Sequence, residues 1–508
     1  LEGPKKRPIP STDWWTSLVT RRWSGELWAY PAVVKATPAG VEVGFPRLWT
    51  VPKDGRTAFM NPSAKLTVSA ANFSPLHAEA VDWGDWSLAA RLPDGAGRHL
   101  AFTLAHGMPF TFFEFSQGLA ATVNCPEGAA FGQDAAAGRL GLAVKAEGVP
   151  GGECAFGLYF APGSKLSVSG GNVKVTFPDG KKPYLSVAVL PARGDLEKFA
   201  PYAPVAPRAT RLSWEYSPAA GKVATKWEVE TEDLDGKGRK DVLQGWLPHH
   251  YQAPAKCAFK TDGARYPCPR GELRLAAGHA FTVDFPFAGL LPAYPSPEKI
   301  PGAPAFATAG PSEPAIEKEL IEAHRERKGY GTETYWGGKL VLHLGQYMEL
   351  ARQAGMKEAC ALFRDRAAEA VSDWLTFTPG EGMHFFCWYP RWGSFVGCRS
   401  RDNANPGVDI LQDHHMCYGY HLYCAALLFF QDRAFAKKYG PMARLVAKDY
   451  AEWDPKSKMF CRFRNLDPWC GHSWSGGLGG DRGNGQESSS EAMQGYGAMF
   501  LLGEALCD

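Results

Sequence analysis

Residues 340–351 read Leu340-Val341-Leu342-His343-Leu344-Gly345-Gln346-Tyr347-Met348-Glu349-Leu350-Ala351. Leu340, Leu344, Tyr347 and Ala351 recur at helical spacing, and Gly355 supplies a stop. The stretch marks a change of period along the chain. Upstream, Leu100, Phe102 and Leu104 alternate with smaller or polar residues, as in a half-buried strand. Val173, Val175 and Phe177 alternate, Pro178-Asp179-Gly180 turns the chain, and Leu185, Val187 and Val189 alternate again. That pattern predicts a hairpin. Many short strands with Gly/Pro turns over residues 1–220 predict a β-sandwich. Residues 221–312 are mixed: strand-like Ala280-Phe281-Thr282-Val283 sits between proline-rich turns, and residues 291–311 read as a connection. From 313 the helical period dominates. Ala367, Ala370, Val371, Trp374 and Leu375 mark a second helix, and others are predicted near 314–326, 415–431, 433–452 and 487–506. The fold class is multidomain α+β, divided 1–220, 221–312 and 313–508.

Composition sets the outer bounds. At about 150 residues per domain, 508 residues suggest roughly three domains. With 45% hydrophobic and 21% charged residues, the chain is not disordered in the main. A formal net charge of +2 excludes a general nucleic-acid binder, which needs a basic excess or stripe. No apolar run approaches the ~20 residues of a membrane span, so no membrane partner is expected. Aromatics reach 13%, including 17 Trp, flat side chains on which sugar rings stack. The chain opens at Leu1 with no charged and then apolar leader, the expectation for a processed, recombinant or fragmentary chain. Twelve cysteines include no C-x-x-C. Cys257 with Cys268, Cys387 with Cys398, and Cys461 with Cys470 suit either local bridges or free thiols.

Three constellations carry chemistry. Asp413-His414-His415-Met416-Cys417-Tyr418-Gly419-Tyr420 sets an acid at a loop-to-helix junction, the place of an N-cap, crowded by two His and two Tyr. Gly483-Asn484-Gly485-Gln486-Glu487-Ser488-Ser489-Ser490-Glu491 sets two acids four apart on one helix face. That spacing costs a few tenths of a kcal/mol, so helix stability does not favour it. The lead-in glycines are no phosphate loop, because the Lys-Ser/Thr ending is missing and carboxylates at the helix start repel phosphate. Gly471-His472-Ser473-Trp474-Ser475-Gly476-Gly477 offers a hydrogen-bonding ring and a stacking plane to a polyol. His414, His415, Cys417, His421 and Cys424 offer a metal site as the alternative to these. Two His four apart with an intervening Glu are absent from that run, and no metal or cofactor is expected. A serine nucleophile is weaker still, without G-x-S-x-G.

These residues resemble glycoside hydrolase family 81, the endo-β-1,3-glucanases. The family's Y-N-D-H-H-F-H-Y-G-Y stands here as Leu411-Gln412-Asp413-His414-His415-Met416-Cys417-Tyr418-Gly419-Tyr420. Its G-H-S-W-A-S-G and N-Q-E-S-S-S-E-A stand as residues 471–477 and 485–492. Pro8-Ile9-Pro10-Ser11-Thr12-Asp13-Trp14-Trp15-Thr16-Ser17-Leu18, Trp28-Ala29-Tyr30-Pro31 and Gly107-Met108-Pro109-Phe110 fit the N-terminal part. Leu247-Pro248-His249-His250, Tyr335-Trp336-Gly337-Gly338-Lys339 and Trp392-Gly393 fit further motifs, in order.

The resemblance implies a β-sandwich, a small α/β domain and an (α/α)6-barrel-type domain. It implies endo-hydrolysis of 1,3-β-D-glucosidic linkages in laminarin- or curdlan-type glucans by an inverting mechanism. Asp413 is then the general acid and Glu487 the general base, with Glu491 supporting. His414, Tyr418, His472 and Trp474 are the expected glucan contacts. The acid must be held protonated: burial and neighbouring carboxylates raise it, and a helix start lowers it. Cys417 replaces a family His, Leu411-Gln412 replaces Tyr-Asn, and Gly485 replaces Asn, changes that touch subsite polarity before catalysis. A non-catalytic glucan-binding protein and another (α/α)-barrel hydrolase are the competing readings. A polymeric substrate implies an extracellular, secreted protein, expected to be a monomer. Twelve barrel helices need on the order of 350 residues with their loops, whereas about 195 follow residue 313 and six helices are predicted. The expectation is a barrel present in its first half, with apolar faces exposed on its last helices.

Overall fold

The computed structural model describes residues 8–50, 57–134, 138–261, 263–268, 270–291, 333–379, 384–397, 411–476, 480–486 and 488–507. Its first region is built on strands β1 (Leu27–Trp28), β2 (Val33–Thr37), β3 (Gly40–Thr50), β4 (Thr57–Ala70) and β5 (Glu79–Trp83). There follow β6 (Ser87–Pro93), β7 (His99–Ala105), β8 (Phe110–Phe115), β9 (Ala121–Asn124) and β10 (Ala130–Asp134). Then come β11 (Arg139–Lys145), β12 (Glu153–Phe160), β13 (Lys165–Ser169), β14 (Asn172–Thr176) and β15 (Tyr184–Leu190). Among the described residues they form a seven-stranded sheet, β1-β2-β3-β4-β9-β14-β13, and an eight-stranded sheet, β10-β11-β12-β15-β8-β7-β6-β5. One hydrophobic core takes Val34, Leu66 and Val123 from the first sheet and Leu88, Phe113 and Val187 from the second.

The predicted hairpin across Pro178-Asp179-Gly180 is corrected. β14 pairs with β9 and β13 in one sheet, whereas β15 pairs with β12 and β8 in the other. The tight turn lies earlier, at Gly170-Gly171, where φ values of +57° and +80° suit a two-residue hairpin loop between β13 and β14. β15 is buried along its whole length, as a central strand covered on both faces must be. Alternation in the sequence does not say which sheet a strand joins.

The expected division at 220 falls inside another hairpin. β16 (Val205–Ser217) and β17 (Lys222–Asp233) pair from Val205↔Asp233 to Ser217↔Lys222. With β19 (Lys256–Cys257) and β22 (Ala280–Pro286) they make a four-stranded sheet, β16-β17-β22-β19. β18 (Val242–Trp246), β20 (Arg265–Cys268) and β21 (Gly271–Gly278) make a three-stranded one. The only helical piece described between 205 and 286 is one turn, Pro248–Tyr251, so this region is β rather than α/β. Cys257 and Cys268, in different sheets, are free thiols, as are Cys461 and Cys470. Cys398 lies outside the described residues.

The helical region contains α1 (Trp336–Gln353), α2 (Lys357–Trp374), α3 (His414–Gln431), α4 (Arg433–Ala451) and α5 (Ser489–Leu506). The helix predicted at 314–326 and most of the 291–311 connection lie outside the described residues. α1 buries Val341, Met348 and Ala351 completely, so of the expected face Leu340, Leu344, Tyr347 and Ala351 only the last is fully covered, and the buried stripe lies about one position round. α3 is the axis: it packs on α1, α2, α4 and α5, and residues from His414 to Phe429 are buried save Tyr423. A helix apolar all round is one that neighbours cover all round. α3 and α5 cross backbone to backbone. A Cβ added at Gly419 would lie 2.4 Å from Gly495 Cα, and one at Gly495 would lie 1.8 Å from the His415 carbonyl oxygen. An open apolar groove lined by Leu290, Tyr347, Leu350, Leu427, Met493 and Leu501 runs along α5, and Met493 is 75% exposed.

Candidate active site

The α3–α5 crossing brings two helix starts to one side of the helical region. Both helices are entered through non-glycine residues in the left-handed region, Asp413 at φ +56° and Ser488 at φ +41°. Asp413 occupies the N-cap position of α3, but its side chain makes no capping hydrogen bond. Asp432, at the same position of α4, does cap: its carboxylate accepts from the Phe435 amide. Asp413 is 7% exposed and accepts from Gln412 Nε2 at 3.3 Å.

Glu491, in the first turn of α5, is held differently. Its Oε1 meets Lys339 Nζ at 2.7 Å, accepts from Tyr335 Oη at 3.2 Å and accepts from Tyr420 Oη. Lys339 also donates to Tyr335 Oη at 2.8 Å. Burial pushes the Glu491 carboxyl up. Hydrogen bonds from Lys339, Ser488 and Tyr420 and the charge of Lys339 outweigh it and bring the carboxyl down to about 2. Glu491 is thus an ionised, donor-saturated carboxylate. Tyr335, the N-cap of α1, and Lys339 in its first turn are four apart, and Tyr420 lies two turns beyond Asp413 on α3, so three helices meet at this carboxylate. Next to it, Trp336 is 56% exposed, with Lys339 Nζ 4.9 Å from its ring centroid. Glu333 braces the α1 start, accepting from the amides of Tyr335 at 2.6 Å and Gly337 at 2.7 Å. Buried Cys417, one turn from Asp413, has its thiol raised first by burial and then by the charges of Asp413 and Glu333, with Glu491 adding a smaller push. Glu487, the expected base, lies outside the described residues.

Two expected glucan contacts are corrected. His414 and Tyr418 are wholly buried and serve the core rather than an open face. His414 Nδ1 pairs with Asp449 Oδ1 at 2.5 Å, and Tyr418 Oη donates to the Phe395 carbonyl at 2.9 Å. Burial pushes the Asp449 carboxyl up, but Arg464, His414 and the Phe395 amide reverse this, so it is an anion in the core. Both residues anchor the start of α3. Trp474 is also largely covered at 8% exposure, and its Nε1 donates to Asp467 Oδ2 at 3.0 Å. It belongs to the β core, with Trp469 and Cys470. His472 is half-buried, edge-on to Trp474 at 4.5 Å, and burial lowers its pKa.

The Cys/His run of α3 is spread round the helix: His414 faces Asp449, and His421 Nδ1 contacts its own helix at the Cys417 carbonyl, 2.9 Å away. Among the described residues, His106, Asp467 and Cys470 bring ligand-type atoms within 4.8 Å of one another. That carboxylate already serves His106 Nε2 at 2.8 Å, the Cys470 amide at 2.8 Å and Trp474. Lys339, Tyr335, Tyr420 and Trp336 lie within the sequence motifs, but their role depends on contacts that the motifs do not show. The i, i+4 spacing of Tyr335 and Lys339 was the available signal.

The β regions hold the loops that deliver these groups. The Trp28 indole donates to the Arg482 carbonyl at 2.9 Å and the Glu26 amide to the Asp481 carbonyl at 3.0 Å. Trp469 Nε1 donates to the Gly245 carbonyl at 2.9 Å.

Comparison with known proteins agrees with this architecture. Residues 313–508 match the glycosyl hydrolase family 81 C-terminal domain. The chain is 30% identical over 512 aligned residues to a glucan endo-1,3-beta-D-glucosidase of Thermobifida fusca, covering 99% of this chain and 64% of the relative. It is 28% identical to a protein of the same name from Acetivibrio thermocellus, covering 98% and 62%. The chain thus spans less than two thirds of the length of these curated relatives. A solved glycoside hydrolase family 81 structure from Clostridium thermocellum superposes with a TM-score of 0.86 at 26% identity, covering 99% of this chain and 67% of that one. The likeness runs through the β-rich part and the helical part alike, so the chain is similar along its length to proteins of glycoside hydrolase family 81, and its residues 313–508 match that family's C-terminal domain.

Proposed function

We propose that this chain hydrolyses internal 1,3-β-D-glucosidic linkages of β-1,3-glucans, with inversion at the anomeric carbon. Asp413 is the general acid, Glu487 the general base, and Glu491 the supporting carboxylate. The observation that carries the reading is the contrast between Asp413 and Glu491. Asp413 sits at a helix start without capping it, nearly buried, whereas Glu491 is pinned as an anion by Lys339, Tyr335 and Tyr420. An acid at about 2 is too strong to hold a proton at neutral pH and too weak as a base to take one from water. Glu491 therefore supports by charge and position.

In the reaction, a water on the far face of the ring attacks the anomeric carbon as the bond to the leaving oxygen breaks. Asp413 delivers its proton to that oxygen, and Glu487 takes one from the water. Carboxyls roughly 6.5–9.5 Å apart leave room for that water. Trp336 offers an exposed indole face for a sugar ring beside Glu491. We read the two-sheet region as a β-sandwich and the five helices as members of an (α/α)6-type barrel, acting as a monomer outside the cell, where polymeric glucan lies.

Product analysis on laminarin and curdlan tests the reading. Reducing ends should appear, NMR should show the inverted anomer first, and Asp413→Asn should abolish release. Binding to curdlan with no sugar released would instead mark a glucan-binding protein. Release from a different β-glucan alone would mark another hydrolase.

A further inference from the structure

The Asp413 turn carries strain that its own sequence does not relieve. Leu411 has φ +61° and Asp413 φ +56°, the region where a side chain crowds its own backbone. Such residues persist when their surroundings over-determine them. Here the surroundings come from 400 residues away. Thr12 Oγ1 donates to the Leu411 carbonyl oxygen at 2.5 Å, and Ser11 Oγ donates to the same oxygen at 3.2 Å. Thr12 is 0% exposed and Ser11 2%.

The clasp extends in two directions. Ser11 Oγ accepts from Arg464 Nη1 at 2.8 Å, and Arg464 Nε donates to the Asp449 carbonyl at 2.8 Å. Asp449 in turn holds His414, the residue after Asp413. On the other side, the Asp13 carbonyl accepts from Asn484 Nδ2 at 3.0 Å. Asn484 Oδ1 then receives the amides of Gly476 and Gly485, each at 2.9 Å. Residues 11–13 therefore grip the loop before α3 and the loop before α5 together.

We infer that Ser11 and Thr12 are positioning residues for Asp413: from the β region, their hydroxyls set the direction in which that carboxyl meets the leaving oxygen. The inference rests on Asp413 being the general acid. A core hydroxyl kept only for stability would affect all substrates alike. A hydroxyl acting through the acid matters only when the leaving group needs a proton.

The test compares laminarin with β-laminaribiosyl fluoride, whose fluoride departs without a proton from the protein. For Thr12→Val, kcat on laminarin should fall about 30-fold, the scale of a misaligned catalytic group, with KM nearly unchanged. On the fluoride the loss should stay below about threefold. Thr12→Ser should recover most of the laminarin rate, and Ser11→Ala should show the same selectivity, more weakly. Equal losses on both substrates, or an unchanged laminarin rate, would overturn the inference. If Thr12→Val does not fold, Ser11→Ala decides by the same ratio, and failure of both to fold also overturns it. Asp413→Asn separates the two layers. If it keeps its laminarin rate, the acid assignment has failed. If it loses laminarin but keeps the fluoride, only the clasp is at stake.

Discussion

The starts of α3 and α5 present two carboxyls in different settings. At α5, Glu491 is gripped by side chains from α1 and α3, and its charge is fully answered. At α3, the backbone is gripped instead: hydroxyls of the β region take the Leu411 carbonyl, while His414 and Tyr418 tie the first turn to Asp449 and Phe395. Gripping a carboxylate directly lowers its pKa and locks it as an anion. Gripping the main chain beside a carboxyl fixes the direction in which the group points. The difference suits a supporting anion at one end and a proton donor at the other.

The largest expected effect removes the donor. Asp413→Asn should lower kcat on laminarin by about 10²–10⁴-fold, the usual range for a general acid, with no change in the melting curve. A variant as active as its parent would end the contrast. Next comes the crossing that unites the two starts. Gly495→Ala places a methyl 1.8 Å from the His415 carbonyl, and backbone cannot rotate away as a side chain can. Urea denaturation should show a loss of about 2–4 kcal/mol; a loss under about 0.5 kcal/mol would mean that the helices slide apart easily.

A smaller effect sharpens the Glu491 side. Lys339→Met removes the cation that helps hold this carboxyl at about 2. The carboxyl should then titrate closer to the ordinary Glu value. Because Glu491 is depressed in the fold, its contribution to stability is present above pH ~4.5 and lost as pH falls towards 2. The parent's advantage over Lys339→Met should shrink over that acid window, read from melting temperatures. An advantage that grows on acidification contradicts the assigned sign. Least of all, Trp336→Ala should raise KM for laminarin about three- to tenfold and leave kcat within twofold, as loss of one stacking platform does. Unchanged KM would take Trp336 out of the cleft.

Several features were legible beforehand because they are local. The switch from period two to helical period is written in side-chain spacing, and so are the starts of α3 and α5. The hairpin misplaced at Pro178 shows the limit: β14 and β15 both look like strands, but only the packing of two sheets separates them. His414, Tyr418 and Trp474, expected at the glucan, are instead covered by the fold, for a related reason. A motif gives residue types, whereas contact with sugar requires an open face, and exposure is set by what folds over it. Lys339 and Tyr335 escaped assignment because their partner Glu491 lies more than 150 residues away.

By itself, the sequence determined the order of a β-rich part and a helical part, the candidate carboxyls Asp413, Glu487 and Glu491, and the family resemblance. These follow from periodicity, turn chemistry and motif spacing, which the chain carries in any conformation. The tertiary structure decided which carboxyl is an anion, which aromatics face outward, and how the N-terminal hydroxyls reach the Asp413 turn. Those depend on burial and on distances between residues far apart in the chain, and both exist only once the β regions and the helices have packed together.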